Sequence, residues 1–276
     1  MKGKICLITG ANAGIGKATA RDLAVRGATV VMVCRNEVRG SVAMSEIRTL
    51  TGNSDVHLML ADLASQRSIR ALADAFKGQH DRLDVLVNNA GVYMGTRIPT
   101  EDGYETTFAV NHLAPFLLTH LLRDRMTTGS RIVTVSSDAH KGLTLDFEDL
   151  DARRKYNGMR VYGQSKLANI LFTREVARRL EGTGITANCL HPGVVATHFA
   201  SGTGLGIFFK LFKPFLLSPE KGAATSIYLA TSPDVEGVSG KYFVKSAEAT
   251  PSKAALDNEA AARLWQVSAE RTGIDL

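Results

Sequence analysis

Hydrophobic residues along this chain fall into two kinds of segment that alternate. Short runs rich in β-branched residues are continuously apolar, which is typical of strands buried on both faces of a parallel sheet. Longer segments between them repeat their apolar positions about every 3.6 residues, as expected of helices that pack on a sheet. About seven strands are predicted from the short runs: Ile5–Thr9, Thr29–Cys34, Val56–Leu60, Val85–Val87, Arg131–Val135, Ile185–Cys189 and Lys241–Val244.

The longer segments predict helices on both faces of that sheet. Ser65 and Ser218 are candidate N-caps, and Pro219 stands at a first helical position. Because strand and helix alternate along residues 1–276 without a repeat or a linker, we predict a single α/β domain built on a doubly wound parallel sheet. The predicted helices are Gly16–Arg26, Val38–Leu50, Ser65–Lys77, Thr106–Arg123, Tyr162–Leu180 and Pro219–Leu229.

Two long segments interrupt this alternation, at Asp138–Arg160 and at residues 196–218. Both follow predicted strands and would lie at the carboxyl edge of the sheet, where doubly wound folds bind ligands. We interpret residues 196–218, which are rich in glycine and aromatic residues, as a substrate lid; a helix packed on the core is the alternative. Lys210 and Lys213 flank aromatic residues, which leaves open a peripheral membrane contact through residues 205–217.

Composition and charge exclude several classes of protein. Apolar residues make up 45% and charged residues 22% of the 276 positions, which excludes a disordered, collagenous or coiled-coil chain. The net charge of +6 comes from interleaved basic and acidic residues, so a mixed solvated surface is favoured over nucleic-acid binding, although a basic chain also suits a phosphorylated cofactor. No window reaches the roughly 18 uninterrupted apolar residues of a membrane span, and we expect a cytoplasmic protein.

Cysteine and histidine give no sign of a disulfide framework or a metal site. The three cysteines, Cys6, Cys34 and Cys189, are far apart and lie in apolar runs, so we expect buried, reduced thiols in a reducing compartment. The histidines lack paired ligand spacing and are expected to be core or cap residues, His191 among them. No metal is predicted.

The loop after the first predicted strand carries the first candidate chemistry. Its glycines permit tight backbone geometry and close approach to a phosphate, and the following helix N-terminus offers unpaired N–H groups to a pyrophosphate. A glycine loop between a strand and a helix near the N-terminus favours dinucleotide binding over a purely structural turn. The candidate cofactor-binding residues here are Thr9, Gly10, Asn12, Gly14, Ile15 and Gly16.

The spacing of this loop, TGxxxGIG, resembles that of the short-chain dehydrogenase/reductase family. Further segments follow in the family's order: Asp62 after the third strand, Asn88-Asn89-Ala90-Gly91 after the fourth, Tyr162 with Lys166, and Pro192-Gly193 after the sixth. The resemblance covers nearly the whole chain and implies a Rossmann-type fold. The cofactor contacts that it implies beyond the glycine loop are Asp62, Leu63, Asn89, Ala90, Gly91, Tyr162, Lys166, Pro192, Gly193, Val195 and Thr197.

A narrower resemblance points to the retinol dehydrogenase branch, which acts on retinal and other lipophilic aldehydes. It rests on five segments, and we expect no N-terminal membrane anchor of the kind that many animal members carry. These segments are Ser165–Thr173, Arg178–Leu180, His191–Gly193, Ser136–His140 and Leu264-Trp265.

Tyr162 and Lys166 are four residues apart and therefore share one face of a helix. A phenol has an unperturbed pKa of about 10, and an ammonium within about 4–6 Å lowers that pKa by ~1–3 units, toward the range of an effective acid or base. A surface Tyr–Lys pair is the alternative, which the glycine loop disfavours.

The resemblance implies two more catalytic residues. Ser137 would donate a hydrogen bond to the substrate carbonyl oxygen, while Ser136 would face away because successive strand side chains point to opposite faces. Asn111, in the helix after the fourth strand, falls at the family's fourth catalytic position, where an asparagine holds a water linked to the lysine. A buried structural asparagine is the alternative reading of Asn111.

The end of the second strand predicts the type of nicotinamide cofactor. NAD-selective sites place an acid there, whereas this strand is followed by Arg35, which could pair with a 2′-phosphate. Glu37 competes for the acidic position, but we interpret it as a first-turn helix residue. We therefore predict NADP(H), with a solvated Arg35 as the alternative.

The sequence as a whole predicts an NADP-dependent carbonyl reductase or alcohol dehydrogenase with a small lipophilic substrate. A reductase of a bulky polycyclic ketone, or of a compound like protochlorophyllide, is the alternative within enzymes. A non-catalytic NADP-sensing module is the alternative outside them, and the complete set of Asn111, Ser137, Tyr162 and Lys166 argues against it. Relatives often form dimers or tetramers, so the resemblance leaves a homo-oligomer open.

Overall fold

The computed structural model describes residues 1–195 and 217–275, which form one sheet with helices on both faces. The strands of the described ranges are β1 (Ile5–Thr9), β2 (Thr29–Cys34), β3 (Val56–Leu60), β4 (Val85–Asn88), β5 (Arg131–Val135), β6 (Thr186–His191), β7 (Tyr242–Val244) and β8 (Ala247–Ala249). They stand in the order β3-β2-β1-β4-β5-β6-β7-β8, and every pair is parallel except β7 with β8. The predicted Rossmann-type, doubly wound α/β fold is confirmed.

Helices connect the parallel strands. Ser65 caps its helix by accepting from the Ser68 amide, and Ser218 does the same with the Lys221 amide, as predicted. The helices are α1 (Gly14–Val25), α2 (Glu37–Thr51), α3 (Gln66–Gln79), α4 (Thr106–Phe108), α5 (Ala114–Leu122), α6 (Gly158–Arg179), α7 (Pro219–Thr231) and α8 (Asn258–Thr272). A π-helical segment, Ala109–Leu113, joins α4 to α5, so the single helix predicted over Thr106–Arg123 contains one wider turn.

Two elements were not predicted. The short strand β8 pairs with β7 through a turn at Lys245 and Ser246, whose φ angles are 51° and 61°. Neither residue is the glycine or asparagine that usually marks such a hairpin. Helix α8 is capped by the Asp257 side chain and ends at Gly273 in the left-handed conformation, with a φ of 61°.

The core lies on both faces of the sheet, which explains the continuous apolar runs. Leu7 on β1 packs in the cluster that contains Phe76 of α3 and Leu117 of α5. Its neighbour Ile8 packs on the opposite face with Leu23 of α1. The three cysteines are free and buried, as expected.

The chain reverses its direction of travel across the sheet between β1 and β4, which are neighbours. This is the topological switch point, and the loops that leave the carboxyl ends of β1 and β4 meet there. No helix of the described ranges is both long and apolar enough to cross a membrane. The predicted lid at 196–218 and the predicted membrane contact at 205–217 lie outside the described residues, apart from Leu217 and Ser218.

Candidate active site

The loops after β1 and β4 are bonded to each other at the switch point. The Thr9 hydroxyl oxygen accepts hydrogen bonds from the backbone amides of Asn89 and Ala90, each at 3.0 Å. In return the Asn89 side-chain amide donates to the Thr9 carbonyl oxygen at 2.7 Å. Three predicted cofactor residues therefore form one rigid junction.

The glycines of the first loop are required by its geometry. Gly10 and Gly14 have φ angles of 67° and 55°, which side chains disfavour. A Cβ added at Gly16 would lie 2.4 Å from the Gly10 carbonyl oxygen and 2.5 Å from Asn89 Nδ2. Helix α1 begins at Gly14 without a side-chain cap and without an acidic residue in its first turn. An uncapped helix N-terminus behind a glycine cradle fits a dinucleotide pyrophosphate.

The end of β2 presents a basic side chain. Arg35 directly follows Cys34 and is exposed. Asn36 caps α2 by accepting from the Arg39 amide at 2.9 Å. Glu37 lies in the first turn of α2, as predicted, so this carboxylate is a helix residue rather than the end of the strand.

The loop after β3 brings Asp62 and Leu63 to the same edge. The Asp62 carboxylate accepts from the Ala64 amide at 2.9 Å, which fixes the turn. Leu63 lines a small crevice together with Thr9 and Ala90.

Asn111 is fully buried in the π-helical segment. Its Oδ1 accepts from the Val92 amide at 2.7 Å, and its Nδ2 donates to the Val92 carbonyl oxygen at 3.0 Å and to Ser165 Oγ at 2.9 Å. These bonds join the loop after β4 to α6, in keeping with the structural reading of Asn111. A Cβ at Gly91 would lie 3.3 Å from Lys166 Nζ and 3.4 Å from Asn111 Oδ1, so both polar groups converge on this glycine.

Tyr162 and Lys166 lie on α6 with the lysine nitrogen 5.6 Å from the centre of the phenol ring. Lys166 Nζ donates to the Val135 carbonyl oxygen at 3.0 Å, and burial lowers the pKa of this lysine to about 8. Burial raises the pKa of Tyr162 to about 12, and a hydrogen bond with Ser137 acts in the opposite direction. The expected lowering of the Tyr162 pKa is not found in this structure, because desolvation of the phenolate outweighs the hydrogen bond with Ser137.

The two serines that follow β5 make different contacts with α6. Ser136 Oγ is buried and donates to the Lys166 carbonyl oxygen at 2.7 Å, whereas Ser137 reaches Tyr162. A Cβ at Gly163 would lie 2.4 Å from the Ala139 carbonyl oxygen, so α6 packs directly on the turn that follows Ser137. This close packing brings Ser137 and Tyr162 together.

The turn after β6 lies at the same edge. Gly193 has a φ of 85°, and a Cβ there would lie 2.5 Å from Leu217 Cδ1. Val195 forms an isolated parallel bridge with Leu217. Thr197, the last predicted cofactor residue, lies outside the described residues.

Helix α7 closes the gap between the first and last cofactor segments. A Cβ at Gly222 would lie 2.6 Å from Val195 Cγ2 and 3.1 Å from Ile15 Cγ1, so Ile15 and Val195 meet across this glycine. Pro192 and Asn12, the remaining predicted residues, are both half-buried in their loops. Among residues 1–195 and 217–275, no group of three or more His, Cys, Asp or Glu side chains is arranged to hold a metal ion.

Sequence reasoning missed an aromatic neighbour of Tyr162. The ring of Tyr93 meets that of Tyr162 edge-on, with 6.4 Å between centroids and 74° between planes. Next to it, the Met94 carbonyl oxygen accepts from the Tyr156 hydroxyl at 2.9 Å. Since Tyr93 follows Gly91 closely at the carboxyl end of β4, its position in the chain was the available signal.

Comparisons with known proteins agree with this arrangement. The family model described as short chain dehydrogenase matches residues 4–204. Retinol dehydrogenase 12 of Mus musculus is 47% identical over 275 residues, which cover 99% of this chain and 87% of the relative.

Two solved structures extend the comparison. A putative uncharacterized protein from Mycobacterium Paratuberculosis has a TM-score of 0.81 and 35% identity, covering 99% of this chain and 95% of that one. A blue fluorescent protein from a metagenomic library, solved in complex with NADPH, has a TM-score of 0.71 and 29% identity, covering 88% and 96%.

Proposed function

The chain belongs to the short chain dehydrogenase family, an oxidoreductase family, and on that premise we propose that it interconverts a lipophilic carbonyl compound and its alcohol with NADP(H) as cofactor. The observation that carries the proposal is the convergence of Ser137, Tyr162 and Lys166 at the carboxyl edge of the sheet, beside a glycine cradle suited to a pyrophosphate.

The cofactor part of the proposal starts from the junction of the glycine loop with the loop after β4. Gly10 and Gly14 have positive φ angles and Gly16 packs against the Gly10 carbonyl oxygen, so the chain turns tightly into α1, whose first amides are donors suited to a pyrophosphate. When bound there, a nicotinamide dinucleotide supplies or accepts the hydride. The exposed guanidinium of Arg35 supports a preference for the 2′-phosphate of NADP, since Arg35 directly follows β2 whereas Glu37 belongs to the first turn of α2. The NADPH complex of the metagenomic neighbour supports the same choice.

Ser137 and Tyr162 perform the polar chemistry at the substrate. Their hydroxyls are arranged to hydrogen-bond a carbonyl oxygen, on which negative charge develops as hydride arrives. With a pKa raised to about 12, Tyr162 keeps its proton at neutral pH and acts as the general acid.

Lys166 stabilises the charge that Tyr162 acquires when it gives up its proton. The bond from Nζ to the Val135 carbonyl oxygen fixes the ammonium on one side of the phenol ring. Since burial lowers its pKa to about 8, this lysine is charged at neutral pH and loses its charge in mildly alkaline solution.

The substrate part of the proposal is an apolar aldehyde or ketone, with retinal as the first compound to test. The Tyr93 ring beside Tyr162 offers an apolar wall at the reacting centre. The relative from Mus musculus carries the name retinol dehydrogenase, which supports the same class. A cytoplasmic location is part of the proposal, and the buried free thiols are compatible with a reducing compartment.

A substrate panel tests the proposal. The purified protein is mixed with NADPH and with retinal, straight-chain aldehydes, polycyclic ketones and polar sugars, and the loss of NADPH absorbance is followed. We expect turnover of the apolar aldehydes, and a loss of about 100-fold or more in the Ser137→Ala variant. Turnover confined to polycyclic ketones would reject the substrate class, and NADPH binding without turnover of any compound would reject the enzymatic function.

A further inference from the structure

A buried imidazole holds the backbone of Ser137. His140 Nδ1 lies 2.7 Å from the Ser137 carbonyl oxygen, and the His140 side chain has no exposed surface. On the opposite side of the ring, Nε2 accepts from the Ser252 backbone amide at 3.1 Å. One ring therefore connects the end of β5 to the segment that follows β8.

These two partners fix the protonation of His140. A carbonyl oxygen can only accept a hydrogen bond, so Nδ1 must carry a proton. A backbone N–H can only donate, so Nε2 must be unprotonated. Only the neutral imidazole with its proton on Nδ1 satisfies both contacts.

The residue after Ser137 is held in a similar way. The Asp138 amide donates to His191 Nδ1 at 3.3 Å, and the Asp138 carboxylate accepts from the Tyr242 hydroxyl at 2.8 Å. Tyr242 also packs edge-on against the His140 ring, with 5.4 Å between centroids. Strands β6 and β7 thus support the turn that follows Ser137.

We propose that His140 is a positioning residue, whose neutral Nδ1–H tautomer holds the Ser137 backbone so that the serine hydroxyl faces Tyr162. The inference rests on the proposed function, in which Ser137 binds the carbonyl oxygen. It assigns His140 no contact with the substrate.

The same geometry makes the position of Ser137 sensitive to acid. The groups facing His140 are Asp138 and Lys141 on its own turn, Tyr242 on β7 and His191 on β6. A second proton on His140 would occupy Nε2 and face the Ser252 N–H, which removes that hydrogen bond. Burial lowers the pKa of His140 below its usual 6.5, so the neutral form persists through neutral pH and is lost only in more acidic solution.

Two amide variants test separately the hydrogen bond at Nδ1, to Ser137, and the hydrogen bond at Nε2, to Ser252. His140→Asn keeps an amide donor near the position of Nδ1, whereas His140→Gln places its amide near Nε2 and loses the bond to Ser137. We expect His140→Asn to retain most of kcat and His140→Gln to lose about 10- to 100-fold, with the KM for NADPH unchanged in both. Protonation of His140 should lower kcat in acidic solution, and this fall of kcat should be absent in His140→Asn, which has no imidazole to protonate. His120→Gln, a substitution on α5 away from the site, is the matched control.

Crystal structures of the two variants show the position of the Ser137 hydroxyl, even if a variant has no detectable turnover. The expected result is a hydroxyl still facing Tyr162 in His140→Asn and displaced in His140→Gln. Equal kcat in the two variants, or an unmoved Ser137 in both, would overturn the inference. An inactive wild-type protein whose Ser137 moves as expected would count against the proposed function and not against the positioning role.

Discussion

Lys166 directs its ammonium nitrogen to the Val135 carbonyl oxygen, 3.0 Å away, while this nitrogen remains 5.6 Å from the centre of the Tyr162 ring. The lysine is buried, so its pKa falls to about 8, whereas the pKa of Tyr162 rises to about 12. The two groups are therefore both protonated at neutral pH. In alkaline solution the lysine loses its proton before the tyrosine does.

This order of ionisation predicts the alkaline limb of carbonyl reduction. We expect kcat to fall as pH rises through about 8, because a neutral Lys166 no longer stabilises the developing phenolate. Methionine has a similar length and no charge, so the Lys166→Met variant should have a low kcat that does not fall further as pH rises through about 8. Steady-state rates of both proteins from pH 6 to 10 measure this pH dependence. A wild-type limb that persists unchanged in Lys166→Met would show that another group titrates there.

The same lysine should make stability depend on pH. Its pKa falls from 10.5 to about 8 on folding, which corresponds to about 3 kcal/mol of destabilisation at neutral pH. This destabilisation is complete below pH 8 and disappears as pH rises toward 10.5, where the unfolded lysine also loses its proton. The difference in unfolding free energy, Lys166→Met minus wild type, should therefore be more positive (more stabilising) at pH 7 than at pH 9.5.

Urea denaturation at the two pH values, followed by the fluorescence of the single tryptophan, Trp265, measures this difference. The Val135 carbonyl oxygen loses its donor in Lys166→Met, but that loss is the same at both values. A difference that does not change with pH would contradict the buried, depressed lysine.

The glycine cradle predicts a contrast between two glycine-to-alanine substitutions. A Cβ at Gly16 would lie 2.4 Å from the Gly10 carbonyl oxygen, so Gly16→Ala should displace the loop, lower stability by about 1–3 kcal/mol and weaken NADPH binding. A Cβ added at Gly78, near the end of α3, would meet open space within 4 Å, so Gly78→Ala should be neutral or stabilising by up to about 1 kcal/mol. Thermal denaturation and NADPH titration compare the pair. Equal effects would mean that the close approach at Gly16 is relieved without consequence.

Much of this fold follows from local pattern. The parallel strands are buried on both faces, so their continuous apolar runs were sufficient to predict them, and the two long segments after strands were predicted to lie at the carboxyl edge. Strand β8 was not predicted, because Lys245 and Ser246 adopt positive φ although neither is a residue that usually marks such a turn. Its pairing with β7 depends on tertiary contacts, such as the bond from the Ser246 amide to Thr225 Oγ1.

The electrostatics of the site could not be predicted in the same way. The spacing of Tyr162 and Lys166 gave their shared helix face, but the pKa of each depends on how much water the surrounding fold removes. The role inferred for His140 depends on Ser252, which is 112 residues away in sequence. Neither burial nor such a distant hydrogen bond leaves a periodic signal in the sequence.

Arg35 predicts a measurable cofactor preference. If its guanidinium pairs with the 2′-phosphate, Arg35→Ala should weaken NADPH binding by about 10- to 100-fold and leave NADH binding almost unchanged, since a charged hydrogen bond contributes about 1.5–3 kcal/mol. Arg39→Ala, an exposed arginine one turn later on α2, is the matched control. Fluorescence titration with both nucleotides gives the dissociation constants. Tighter binding of NADH than of NADPH by the wild-type protein would overturn the NADP assignment.

The Tyr93 ring predicts how the site selects among apolar substrates. It stands edge-on to Tyr162 at 6.4 Å, so Tyr93→Ala removes an apolar wall next to the reacting carbonyl. Loss of an aromatic contact of this kind is worth about 1.5–3 kcal/mol, so the KM for a slender apolar aldehyde should rise by about 10-fold or more. A bulky polycyclic ketone gains space from the same change, and its kcat/KM should fall less or rise.

Tyr228→Phe on α7, a tyrosine that packs against Phe243 away from this edge, serves as the control for altering an aromatic side chain. The ratio of kcat/KM for the two substrates is compared across wild type, Tyr93→Ala and Tyr228→Phe. If the ratio is the same in all three proteins, Tyr93 does not contact the substrate, and the wall that selects it must be formed by other residues.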